Sequence, residues 1–123
     1  MEQFALFIGT LLQSRTQAHI YHWQTQGIGS DAAHRALGDY YDGIVDLLDK
    51  LVESTQGRHG IIRGYRMPDA IREDGNFIKY FEALALFVET TRTQVYQDSY
   101  IQNQIDTIVE LIETTKFKLI NLK

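Results

Sequence analysis

Apolar residues recur in this chain at helical spacing, in four stretches separated by three breaks. Phe4, Ile8, Leu11, Ala18 and His22 keep the i, i+4, i+7 rhythm, interrupted once at Arg15, and predict a helix over 3–26. Ala33, Leu37, Tyr40, Ile44, Leu47, Leu48 and Leu51 predict a second over 31–56, with Asp42, Asp46, Asp49, Lys50 and Glu53 around the apolar face. That face is wide, and Tyr41 beside Tyr40 widens it further, so the helix should be covered on more than one side. Phe77, Phe81, Leu84, Phe87, Val88 and Thr91 mark a third helix over 74–94. Ile101, Ile105, Ile108, Ile112 and Leu119 mark a fourth over 100–121.

The breaks differ in kind. Gly27 and Gly29 followed by Ser30 and Asp31 read as a helix stop and then a start, with Asp31 a cap or first-turn acid. Gln97 to Ser99 read as a short turn with Asp98 or Ser99 as cap. The middle break, 57–70, holds three glycines and Pro68 and is long for a bundle connection. It reads as a crossover linking two helical hairpins. The competing reading is an anion-binding or partner-binding loop built on Arg58, His59, Arg63 and Arg66. Two tight turns and one long crossover predict a single all-α domain over 1–123, a four-helix bundle with its long connection between helices 2 and 3.

Composition narrows the class. At 123 residues with 44% hydrophobic positions, the chain is one domain with a real core. A single proline favours long unbroken helices. No apolar run approaches the ~20 residues that span a bilayer, and Glu2 stands where a signal peptide wants basic residues. Cysteine is absent, as expected inside a cell. The net charge of −4 gives no general pull toward nucleic acid. The expectation is a cytoplasmic protein with no membrane contact.

The candidate chemistry lies between His22 and Glu53. Two histidines, His22 and His34, are followed by Asp49 and Glu53, four apart and so on one helical face. Imidazole nitrogen with carboxylate oxygen suits a borderline divalent metal: Fe(II), Mn(II) or Zn(II). The glycine turn places His22 at the end of one helix and His34 in the first turn of the next, so the two meet across a hairpin. Asp49 lies 15 residues past His34, roughly 22 Å along the same helix at about 1.5 Å per residue. One site made of all four therefore needs two chains. An antiparallel two-fold dimer supplies them and makes two sites. Metal binding there weakens as pH falls through the histidine range. Asp46, one turn before Asp49, is a supporting acid behind the ligands, a weak ligand, or a solvated acid. His19 and His59 take structural roles. The chain has no Glu-x-x-His pair, which argues against a di-iron site inside one bundle.

The same stretch resembles the Dps-like mini-ferritins of the ferritin superfamily. The resemblance rests on His22-Trp23, Gly27 five residues on, His34 twelve on, then Asp49 and Glu53. It implies a ferritin-like bundle. It also implies an iron-oxidising site between subunits, with His22 and His34 from one and Asp49 and Glu53 from the other. Trp23 would lie beside the iron and absorb oxidising equivalents. Two-fold dimers would assemble into a dodecameric shell for iron storage and oxidative protection, with a short helix in the crossover at the dimer interface. The chain departs from that family in being short and in lacking the lysine-rich N-terminal extension used for DNA binding. Lys116, Lys118 and Lys123 are too few to replace it, so DNA binding is not expected. Its C-terminal half is similar to small members encoded by bacteriophages, which places it in a bacterial cell or a phage-infected host. The alternative is a non-catalytic helical assembly protein, virion-associated, that keeps the bundle and its dimer interface.

Overall fold

The computed structural model describes residues 1–68 and 70–123. Asp69, inside the expected crossover, lies outside the described residues. The four helices are α1 (Glu2–Gln24), α2 (Ser30–His59), α3 (Phe77–Thr91) and α4 (Ser99–Asn121), with one turn of 3₁₀ helix, Arg92–Gln94, after α3. α1 packs on α2, α2 on α4, α4 on α3, and α3 back on α1. α1 and α2 are antiparallel across the glycine turn. Gln104 of α4 meets Ser54 of α2, and Lys118 meets Asp39, so α4 also runs against α2. Phe7 meets Phe87 and Tyr21 meets Phe77, so α3 runs against α1. The order is up, down, down, up, with one long crossover, as in ferritin-like bundles. Among the described residues no helix is long and apolar enough to cross a membrane.

The stripes read from the sequence supply most of the core, joined by Phe7 and Tyr21, while Leu47, Phe77, Phe87 and Thr91 are only half-buried. Phe4, Phe7, Leu11, Tyr21, Leu37, Tyr40, Ile44, Leu51, Phe81, Ile101, Ile105, Ile108 and Ile112 are all buried. Burying each such side chain contributes about 1.5–3 kcal/mol. Across the bundle Tyr40 meets Phe81 edge-on at 4.8 Å. The Tyr40 hydroxyl, fully buried, donates to Ser14 Oγ at 2.6 Å, and Ser14 in turn donates to the Leu11 carbonyl. This polar pair is therefore satisfied, and burial pushes the Tyr40 phenol far above its ordinary pKa.

The helix ends differ from expectation for local reasons. α1 stops at Gln24 because Thr25 is extended and its hydroxyl caps the His22 carbonyl at 3.0 Å. Gly27 and Gly29 hold positive φ, 90° and 84°, and Gly29 itself is the N-cap of α2. Asp31 is a first-turn acid paired with Arg35 at 3.1 Å and caps nothing. α2 runs through Gly57 to His59, one turn further than predicted. The added turn is held by His59 Nε2 on Asp98 Oδ1 at 2.8 Å and Arg58 on Asp98 Oδ2 at 3.6 Å. Asp98 is the N-cap of α4 by backbone alone, because its side chain is used on α2. α3 starts three residues later than predicted, after Asp74 Oδ1 accepts the Asn76 N–H at 3.0 Å.

Between Gly60 and Asn76 the described residues form no helix, so the short crossover helix that the resemblance implies is not found among them. This segment returns along α1 and is tied to a regular ladder of polar residues on that helix. Gln13 Nε2 donates to the Pro68 carbonyl at 2.8 Å. Gln17 donates to the Arg72 carbonyl at 2.8 Å and accepts the Arg72 N–H at 2.7 Å. The Tyr21 hydroxyl donates to Asp74 at 2.9 Å, and Gln24 to Glu73 at 3.0 Å. Below the ladder, Gly9 is buried in α1 where a Cβ would land on the Arg66 carbonyl. The crossover is a structural strap seated on α1.

Candidate metal centre

The last turn of α1 and the first of α2 bring His22 and His34 together as the turn sequence predicts. Their rings stack, 3.5 Å apart between centroids and 19° from parallel. Each ring is locked by the other residue's backbone. His22 Nδ1 lies 2.6 Å from the His34 carbonyl, and His34 Nδ1 lies 2.9 Å from the His22 carbonyl. A carbonyl only accepts, so both Nδ1 atoms carry the proton. In each neutral ring the lone pair then sits on Nε2. This is how proteins fix a histidine that binds a metal through Nε2. His22 is half-buried and His34 exposed.

Three further residues frame the pair, none of them singled out by the sequence reading as part of the site. Gly38 faces His22, and a Cβ there would sit 3.4 Å from Cε1 and 3.5 Å from Nδ1. A larger side chain would push the ring off α2. Tyr41 meets the edge of His22 at 5.3 Å and 81°. His19 stacks on Tyr41 at 4.1 Å and leans on Trp23 at 4.2 Å. The visible signals were the His-x-x-His-Trp run on α1 and the seven-residue step from His34 to Tyr41, which repeats one face of a helix. Trp23 is 68% exposed and touches the site through His19.

Asp49 and Glu53 are exposed on α2, as are Asp42 and Asp46. Among the described residues none of these four acids takes part in an ion pair or side-chain hydrogen bond. Their steps of four, three and four place them along one face. Because α2 is continuous from Ser30 to His59, the histidine pair and the two carboxylates stay roughly 22 Å apart in one chain. Among the described residues no three histidine, aspartate or glutamate side chains of one chain group closely enough to hold a metal. A single chain thus carries an oriented imidazole pair and, further along α2, an acidic stripe that is unpaired among the described residues. The donor set fits a borderline divalent metal, with imidazole nitrogen and carboxylate oxygen both supplied and the imidazole tautomers already fixed.

Comparison with known proteins gives one family. Neither the curated proteins nor the solved structures contain a match. A family described as being of unknown function, DUF5856, matches residues 22–119. The match begins at His22 and takes in His34, Asp49 and Glu53, the glycine turn, the crossover and nearly all of α4. The chain belongs to the DUF5856 family.

Proposed function

We propose that two copies pair antiparallel through their α1–α2 faces and that each pair builds two Fe(II)-oxidising centres. In each centre His22 and His34 of one copy face Asp49 and Glu53 of the other. The observation that carries this reading is the reciprocal lock of the two imidazoles, which leaves both Nε2 lone pairs without a partner among the described residues. The surface between the imidazole pair and the acidic stripe suits a second copy. Tyr41, Val45 and Val52 lie on the His34 face of α2 by helical spacing and are half-buried, leaving apolar area to cover.

Fe(II) is the substrate. The imidazoles and carboxylates hold it, peroxide or dioxygen takes its electrons and ends as water, and Fe(III) passes to a mineral inside a larger shell. Removal of Fe(II) together with peroxide protects against hydroxyl radical. Zn(II) and Mn(II) fit the same donors. Cytoplasmic placement, a dodecameric shell and the likeness to mini-ferritins belong to this reading. The net charge of −4 gives no pull toward DNA.

The test is aerobic addition of Fe(II), followed by near-ultraviolet absorbance of ferric oxo species. The doubly substituted Asp49→Asn, Glu53→Gln protein should lose this oxidation, a change of at least about a hundredfold, while folding and assembling normally. Co(II) and Zn(II) should raise the melting temperature of the wild type and leave that of the double mutant unchanged, since a ligand stabilises only the state that binds it. Equal oxidation by both proteins would place the centre elsewhere. No response to any metal in the wild type would favour a purely structural assembly protein. A measured assembly mass sets the size of the shell.

A further inference from the structure

On the opposite side of α1 from the histidines, the crossover strap roofs a cavity of about 390 Å³ between α1 and α3. That is within the roughly 300–1,000 Å³ of small-molecule sites. Pro68, Ala83, Leu84 and Phe87 give it hydrocarbon walls, and Arg72 and Tyr80 add a cation and a phenol. The polar side chains of the wall divide into two groups. Gln13 and Gln17 hold the strap, and Thr10 bonds its own helix at the Leu6 carbonyl. The Arg72 guanidinium and the Tyr80 hydroxyl make no hydrogen bond or ion pair with any described residue. The acids next to Arg72 are engaged elsewhere, Glu73 by Gln24 and Asp74 by Tyr21 and the Asn76 N–H. The guanidinium lies over the Tyr80 ring, 5.4 Å from its centroid. Burial raises the Tyr80 phenol well above its ordinary pKa, so it keeps its proton and is free to donate it.

We infer that this cavity binds a small aliphatic carboxylate, with Arg72 and the Tyr80 hydroxyl on the two carboxylate oxygens and the hydrocarbon chain against Leu84, Phe87 and Pro68. The donor count selects the head group. One guanidinium and one hydroxyl satisfy a carboxylate, whereas a phosphate dianion needs more donors, and the Arg72 backbone N–H is already taken by Gln17. The apolar walls select an alkyl body over a sugar or a polar amino acid. The site is separate from the proposed metal centre and does not rest on it.

Octanoate and 1-octanol, with the same chain and different heads, are titrated into the full-length protein by calorimetry. Octanoate should bind at one per chain, and octanol at least about tenfold more weakly, since a hydrogen bond to a charged group adds roughly that factor. Arg72→Gln should weaken octanoate about tenfold and leave octanol unchanged. The strap is held there by the Arg72 backbone, so this variant keeps the fold. Ala83→Leu, at an exposed position of α3 facing the cavity, should abolish binding of both with no change in the melting curve. Absence of octanoate binding at millimolar concentration, equal binding of octanol, or an unaltered Arg72→Gln protein would each overturn the assignment.

Discussion

The strap side of α1 and its α2 side treat their polar residues in opposite ways. On the strap side, Gln13, Gln17, Tyr21 and Gln24 all find partners within the same chain. On the α2 side, the ladder is replaced by His22 and His34. They satisfy one nitrogen each on backbone, and among the described residues nothing bonds the other. A polar group that closes its hydrogen bonds internally stabilises the fold, by about 1 kcal/mol for a typical bond. A polar group that is oriented at one atom and left open at another is positioned for something outside the chain. Substitutions on the two sides should therefore move different observables.

The largest effect on stability is expected at Gly9. Adding a methyl there drives a Cβ into the Arg66 carbonyl, and backbone cannot give way as a flexible side chain can. Gly9→Ala should lose about 1–3 kcal/mol to overpacking, which outweighs the ~1 kcal/mol that alanine gains over glycine inside a helix. Urea unfolding measures it. Because Gly9 and His22 lie roughly 20 Å apart along α1, the affinity for Co(II) should not change. A protein as stable as the wild type would show that the strap does not rest on α1 as described.

These two faces were unequally legible in the sequence. The apolar stripes that became the core repeat at 3.6 residues because each must turn the same way, so Phe4 to Leu119 sort themselves into four helices. The glycine turn and the helical spacing likewise foretold that His22 and His34 meet, and that Asp49 stays away from them. The strap ladder left no such trace. Gln13, Gln17 and Gln24 look like solvent-facing positions, because their partners are 49 to 55 residues away in a segment without periodicity. Gly9 inside a helix signals a close backbone approach, yet nothing local says which backbone. The extra turn of α2 beyond Gly57 was hidden for the same reason: Asp98, which holds Arg58 and His59, is far off in sequence.

A smaller effect, with a pH signature, is expected at the upper end of the strap. The Asn76 N–H and then the Tyr21 hydroxyl hold the Asp74 carboxyl below the usual aspartate range, and Asp98 is held low chiefly by the hydrogen bond from His59. A carboxyl with a depressed folded pKa contributes stability that is complete above its unfolded value and lost as pH falls through the folded one. Stability should thus hold steady at neutral pH and drop once pH passes below about 4. Tyr21→Phe should lower the melting temperature by roughly a few degrees at pH 7, and the gap from wild type should close in that acid range. A gap that stays constant to low pH would mean that the Tyr21 hydroxyl does not act through the Asp74 carboxylate.

The smallest effect has the opposite sign and falls on the site face. Gly38 lies inside α2, where glycine costs about 1 kcal/mol relative to alanine. Its one visible compensation is room for the His22 ring, and that room is limited. An alanine Cβ would touch Cε1 at 3.4 Å and Nδ1 at 3.5 Å, both ordinary contact distances. Gly38→Ala should therefore raise stability by about 0.5–1 kcal/mol with Co(II) affinity unchanged, since the ring keeps both its place and its bond to the His34 carbonyl. Gly38→Leu extends past that contact into the space of the imidazole. The ring must swing away, and the His22 Nδ1–H loses the His34 carbonyl that fixes its tautomer. Metal affinity should then fall by about tenfold to a hundredfold in a protein whose helical circular dichroism is unaltered. If Gly38→Leu binds Co(II) as tightly as the wild type, the stacked pose of His22 is not the one that holds metal. If Gly38→Ala already weakens binding, the ring has less freedom than ordinary contact distances allow.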